Sequence, residues 1–250
     1  MATANPAMND EIYNRVSSMR TGERSTAMTL QGAVLKTAIL LVILSVTAGY
    51  TWMQSKAEET GLLYGLLIAG SLGGLVIAIA TIWFPKISPV SAPVYAGFEG
   101  LVLGGISSLF EKQYPGIAIQ ALGLSVGTLT AMLFLYGTGV VRATEKFKTG
   151  LFAATAAIAL VYLAGFIASF FGMGIPYIHD SGWIGIGFSL VVVVIAALNL
   201  IVDFDFIEQG VNRRAPKYME WYAGFSLLVT LVWMYLEILR LLAKLRSNRD

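Results

Sequence analysis

The 250-residue chain has no cysteine and one histidine, His179. Without thiols there is no disulfide framework and no thiolate metal site, and one imidazole cannot build a multi-histidine centre. Charge is scarce as well. Only 13% of residues are Asp, Glu, Lys or Arg, about half the share in a soluble domain. The net charge of +2 is too small to point to nucleic acid. Catalytic signatures are missing too: there is no HExxH, no GxSxG and no Walker A loop, so the chain is not expected to be an enzyme. The first 30 residues are polar and mixed in charge, unlike a secretory signal with its basic start and apolar core. They are expected to form a soluble tail, with room for a short amphipathic helix.

What the chain has in abundance is apolar sequence. Hydrophobic residues make up 56% of it and the mean hydropathy is +0.72, which points to a membrane protein. A helix needs about 20 apolar residues to cross the hydrocarbon core. Seven runs qualify: 32–53, 62–84, 93–111, 116–138, 150–172, 182–203 and 219–243. Proline- and glycine-bearing joints separate most of them, where helices stop. None shows the apolar–polar alternation of a barrel strand. The expected architecture is all-α: a tail over 1–30 and a seven-helix integral membrane domain over 31–250, in contact with the lipid bilayer. Most Lys and Arg fall on the side shared by the N-terminus and the even-numbered loops, which predicts a cytoplasmic N-terminus. The basic C-terminal tail runs against that bias. "GSLGG" (70–74), "GLVLGG" (100–105) and "GLSVGTLTA" (123–131) are dense in small residues, which let helix backbones approach.

Ionisable residues at membrane depth are costly and mark function by default. Glu99 stands among apolar and glycine neighbours in "PVYAGFEGLVLGG". An unpaired carboxyl there holds a proton more readily than in water. At the end of the sixth run, "LNLIVDFDFIEQG" places Asn199 and Asp203 four apart, on one helix face. Asp205 lies about 200° around from Asp203 and is expected to be solvated. Asp203 with Asn199 offers the oxygen ligands that a hard cation such as calcium prefers. Glu220 opens the seventh run beside Trp221 and Tyr222, on the same side as Asp203, and is a plausible partner for it. Glu237 is one turn from Arg240 and two from Lys244, and a local ion pair is expected. Glu111 with Lys112 is expected to cap the third run.

Long stretches together resemble the transmembrane Bax inhibitor motif family, in its bacterial Bax-inhibitor-like branch. They are "NPAMNDEIY", "LKTAILLVILSVTAGYTW", "APVYAGFEGLVLGGISSLFEKQYPGIAIQA", "LYGTGVVRATEKFKTG", "LNLIVDFDFIEQG" and "APKYMEWYAGFSLLVTLVWMYLEILRLLAKL". The resemblance implies a bundle whose last helix is enclosed by the other six. It also implies a pH-sensitive calcium leak, in which two aspartates on the last two helices share a proton. Such a pair titrates as a unit. Asp203 matches the first of the two, with Asp205 as the alternative register, and Glu99 matches the family's glutamate followed by glycine. The second aspartate has no counterpart: Ser226 and Thr230 occupy its neighbourhood in "YAGFSLLVTLVWMYL".

The expected function is therefore a proton-modulated calcium leak in a bacterial inner membrane, with calcium as cargo and no cofactor. The alternative is a non-conducting regulator that binds a membrane protease or a stress-response partner.

Overall fold

The computed structural model describes residues 27–56, 60–171 and 182–248. Residues 1–26, and with them the expected amphipathic helix, lie outside that set, as does His179. The described chain is helical, with seven helices long and apolar enough to span a membrane. They are α1 (Leu30–Lys56), α2 (Thr60–Trp83), α3 (Ser88–Gln113), α4 (Ile117–Gly137), α5 (Glu145–Phe170), α6 (Trp183–Asn212) and α7 (Met219–Ser247). A 3-10 turn over Pro85–Ile87 leads into α3. This is the integral membrane architecture that the apolar runs predict.

The helices outrun the apolar segments at several ends. α3 begins at Ser88, so Pro93 sits inside a helix rather than in a joint. A proline can occupy a membrane helix when neighbouring groups satisfy the carbonyl it frees. α5 begins at Glu145, where Thr144 accepts a hydrogen bond from Phe147 N at 3.3 Å. The largest difference is at α6, which continues nine residues past Asp203 to Asn212. The two aspartates are therefore internal to the helix, not at its end. Asp203 and Asp205 interrupt hydropathy but not helix geometry. Phe204, Phe206, Ile207 and Gly210 carry the buried face onward.

α7 is the most buried span. α1, α3, α4 and α6 pack on it, while α2 packs chiefly on α3. The α1–α3 crossing is close because glycine lines it. A Cβ on Gly100 would lie 1.9 Å from Thr47 Oγ1, and one on Gly104 would lie 2.1 Å from the Ala48 carbonyl oxygen. Gly70 and Gly73 play the same part between α2 and α3, against Val102 and Phe98. The third small-residue stretch differs. Gly123 and Gly127 have nothing within 4 Å of a built Cβ, so they do not serve helix packing. Large apolar side chains such as Leu72, Val76, Leu124, Phe166 and Val191 point outward, the surface a bilayer requires.

The two ends of the bundle are stitched. On the N-terminal side, residues 27–29 form a short strap across the α6–α7 turn. Ala27 pairs antiparallel with Pro216 and Met28 N donates to Ala215 O at 2.7 Å. Ser88 at the start of α3 donates to Tyr218 O on the same turn at 2.9 Å. At the opposite end Arg246 donates to Pro115 O at 2.8 Å and to Gln120 Oε1 at 3.0 Å.

Candidate functional site

Asp203 is wholly buried on α6. It lies nine residues from the end of that helix, and Leu228 lies nine residues into α7. A short turn joins the two antiparallel helices, so Asp203 sits about 13 Å inside the bundle, near the level of Leu228. Ser226 and Thr230 flank that level, each within about 3 Å along the axis, and both are buried on the enclosed helix. The two hydroxyls thus share a layer with Asp203. Asn199, one turn away, turns to a different neighbour. Its Nδ2 donates to Thr155 Oγ1 on α5 at 3.0 Å and to Ile195 O at 2.8 Å.

Asp205 is not left to solvent. Its Oδ2 meets Lys148 Nζ of α5 at 2.6 Å, and Gln209 Nε2 donates to the same oxygen at 2.5 Å. Lys148 is itself buried and reaches Glu145 at 3.6 Å. Gln209 in turn accepts from Arg213 at 3.0 Å, and the Tyr136 hydroxyl on α4 donates to Glu208. The N-terminal-side ends of α4, α5 and α6 are therefore joined by a polar network, with Lys148 as its buried cation.

Glu220 lies at the mouth of the bundle, on the strap. Its Oε1 accepts from Thr29 N at 3.0 Å and from Thr29 Oγ1 at 2.9 Å, and meets Lys217 Nζ at 2.6 Å. Eight residues of α7 separate it from Leu228, about 12 Å along the axis from the level of Asp203. The two acids stand on the same side, as expected, but the groups that hold Glu220 are the strap and the turn. Gly32 makes room for it: a Cβ there would lie 2.0 Å from Oε1. Two residues before Glu220, the Tyr218 hydroxyl is buried with no hydrogen-bond partner among the described residues, and burial pushes its pKa up.

Glu99 stands on α3, which shares no extensive packing with α6, and eleven residues into that helix it lies about 16 Å from the same end of the bundle, close to the depth of Asp203,. Its carboxylate is half-buried on α3, faces α2 where a Cβ on Gly74 would approach Oε2 to 3.3 Å, and is hydrogen-bonded to Tyr95. The Tyr95 ring packs edge-on against Phe225 of α7 at 4.9 Å, Phe225 contacts Tyr222 at 6.1 Å, and Tyr222 contacts Phe206 of α6 at 6.2 Å. A ladder of rings thus runs from the glutamate through α7 to the helix of Asp203.

Toward the opposite end, Glu237 is buried and pairs with Arg240 at 2.8 Å, as its spacing predicts. Tyr162 of α5 donates to both of its oxygens at 3.0 Å, and the Arg240 guanidinium lies 5.2 Å from the Tyr162 ring centroid. Lys244 leaves this cluster for Ser189 Oγ at 2.9 Å and Gly185 O at 3.1 Å. Glu111 caps the start of α4 rather than the end of α3, accepting from Gly116 N at 2.6 Å and Ala118 N at 3.1 Å. No cluster of three or more His, Cys, Asp or Glu able to hold a metal occurs among the described residues. An ion at Asp203 would have to use hydroxyl, amide or carbonyl oxygen beside one carboxylate.

Sequence reasoning missed Lys148, Thr29, Gly32 and Tyr162 as site members. Lys148 and Thr29 looked like tail or loop residues, and their partners lie 57 and 191 positions away.

Searches among curated proteins and among solved structures returned no match. The family model described as "Bax inhibitor 1 like" matches residues 5–247, nearly the whole chain. With its seven spans, enclosed last helix and buried sixth-helix aspartate, the chain belongs to the Bax inhibitor 1 like family of integral membrane proteins.

Proposed function

We propose that this protein is a proton-modulated calcium leak, with Asp203 as its control point. The observation that carries the reading is a carboxylate wholly buried about 13 Å inside the bundle, in the same layer as Ser226 and Thr230 of the enclosed helix. Oxygen donors of this kind suit a hard cation. An ionisable group at such depth responds to protons and ions together. The enclosed helix brings no acid of its own to that level, so one carboxylate and two hydroxyls stand where the resemblance implies an aspartate pair. Glu99, joined to α7 through Tyr95 and Phe225, is a second proton or ion site in this reading. Asp205 and Lys148 hold α5 to α6 at the N-terminal-side end and so control closure there. The reading places the protein in a bacterial inner membrane with a cytoplasmic N-terminus, calcium as cargo, no cofactor and no catalytic step.

The test is calcium entry into dye-loaded liposomes carrying the full chain, across a pH series, for wild type and Asp203→Asn. Proton-dependent entry that the substitution alters is the expected result. Correctly inserted wild-type protein that passes no calcium at any pH overturns the reading.

The alternative is a non-conducting regulator of a membrane protease or stress-response complex. One feature favours it: the strap Ala27–Thr29 anchors the polar tail directly to the start of the enclosed helix. Removing the tail would then abolish regulation without changing any ion flux.

A further inference from the structure

An apolar cavity of about 460 Å³ opens between α1 and α4, with α3 and α7 as its floor. On α1 its lining runs from Leu41 to Trp52, a length of about 16 Å at the helical rise. That is close to half of the roughly 30 Å hydrocarbon core, the depth of one leaflet. The lined half of α1 is the half farther from the N-terminus. The first turns of α4 form the other wall, and α1 and α4 share no extensive packing face. The opening therefore faces bilayer hydrocarbon along its length. Leu231 and Tyr235 of the enclosed helix are partly uncovered at its floor. The polar atoms of that floor are matched, since the Tyr235 hydroxyl and Ser107 Oγ bond each other at 2.7 Å.

Such a space does not suit water, which needs several polar partners. Left empty, its walls would lose dispersion contacts on one side. The chemistry at its outer rim is complementary to a phosphate. Lys112 Nζ donates to Ser55 O at 2.8 Å, one turn beyond Trp52, and only one of its three hydrogens is used there,. Arg246 lies at the start of α4, on Pro115 O and Gln120. The neighbouring carboxylate, Glu111, is occupied by the amides of Gly116 and Ala118. Among the described residues the rim thus carries two cations with donor capacity and one acid already engaged.

We infer that this groove is a binding site for one anionic phospholipid of the leaflet opposite the N-terminus. One acyl chain lies along α1 against Leu231 and Tyr235, and the phosphate meets Lys112 and Arg246. The enclosed helix is thereby in direct contact with lipid although other helices surround it. The inference does not depend on ion conduction.

The test uses the full chain in vesicles that contain an anionic phospholipid with a photoactivatable diazirine in its acyl chain. Adducts are then mapped by peptide mass spectrometry. Adducts are expected at Leu231 and Tyr235 as well as at outward-facing residues such as Leu72 and Phe166. Gly49→Phe is the blocking variant. Gly49 lines the groove and has nothing within 4 Å of a built Cβ, so a ring there fills the space without displacing backbone. It should lower the α7 adducts several-fold and leave those at Leu72 and Phe166 unchanged. Leu122→Trp, from the facing wall, should do the same and guards against a folding defect in the first variant. Lys112→Ala should remove the preference for the anionic probe over a zwitterionic one. Wild-type protein labelled at Leu72 and Phe166 but not on α7, or α7 adducts that neither blocking variant reduces, overturns the site. Equal labelling of α7 by anionic and zwitterionic probes in wild type overturns the headgroup assignment.

Discussion

The carboxylate of Glu220 occupies the space that a Cβ on Gly32 would need, with Oε1 2.0 Å from that position. A residue of the last helix and a residue of the first are thus mutually exclusive above a hydrogen atom. Gly32→Ala must push the carboxylate off Thr29 and Lys217. Loss of those charge-assisted bonds from a buried acid should cost about 1–3 kcal/mol. Thermal unfolding in detergent, followed by tryptophan fluorescence, should show a lower midpoint than wild type. An unchanged midpoint would mean that the strap contributes nothing to stability.

The α1–α3 crossing supplies a paired prediction. Gly104→Ala drives a methyl into the Ala48 carbonyl, and forced overpacking of this kind costs about 1–3 kcal/mol. Gly123→Ala meets nothing, and alanine is the better helix former by about 1 kcal/mol. The first variant should unfold earlier than wild type and the second no earlier. The reverse order would refute the packing described for these two glycines.

The pairing of Lys148 with Asp205 predicts strong coupling. Removing the lysine leaves Asp205, itself only 20% exposed, beside α5 without its cation. A thermal double-mutant cycle with Lys148→Ala and Asp205→Asn should return an interaction energy of about 1–3 kcal/mol. The double variant should be less damaged than the sum of the two singles. Additive effects would show that the contact holds nothing together.

Tyr218 gives a prediction at alkaline pH. Burial raises the pKa of its hydroxyl above the ordinary value of 10.0. The folded protein then keeps that proton longer than the unfolded chain does. Stability is intact below about pH 10 and falls as pH rises beyond it. Tyr218→Phe removes both this dependence and a buried hydroxyl that has no partner among the described residues. Unfolding midpoints across alkaline pH should decline less steeply in the variant. Parallel declines would show that Tyr218 titrates alike in both states.

Seven spans were legible because twenty-residue apolar runs have few other uses, and Asp203 stood out because it closes such a run, although its depth inside the helix did not show. The end of α6 was not legible. Hydropathy drops at Asp203, whereas the helix follows backbone hydrogen bonding and the buried face of Phe204, Phe206 and Ile207 to Asn212. The partners of the acids were hidden for a different reason. Glu220 meets Thr29 across 191 positions and Asp205 meets Lys148 across 57, and no local period encodes a contact at such separation. Glu237 with Arg240 was readable because three residues along a helix bring side chains together. Of the three small-residue stretches, the two that meet a neighbouring helix and the one that meets none look alike in sequence.

The stitching at the two ends of the bundle has a mechanical consequence. At one end the last helix is tied by Thr29 to Glu220, by Met28 to the turn before it and by Ser88 to Tyr218. At the other it is tied by Arg246 to the α3–α4 turn and by Lys244 to the start of α6. A rod fastened at both ends behaves as an axle. It cannot slide, tilt or turn without breaking bonds at a bearing, and the same bonds hold α1, α3, α4 and α6 in place around it, which leaves α2, packed chiefly on α3, as a helix without a bearing on the axle.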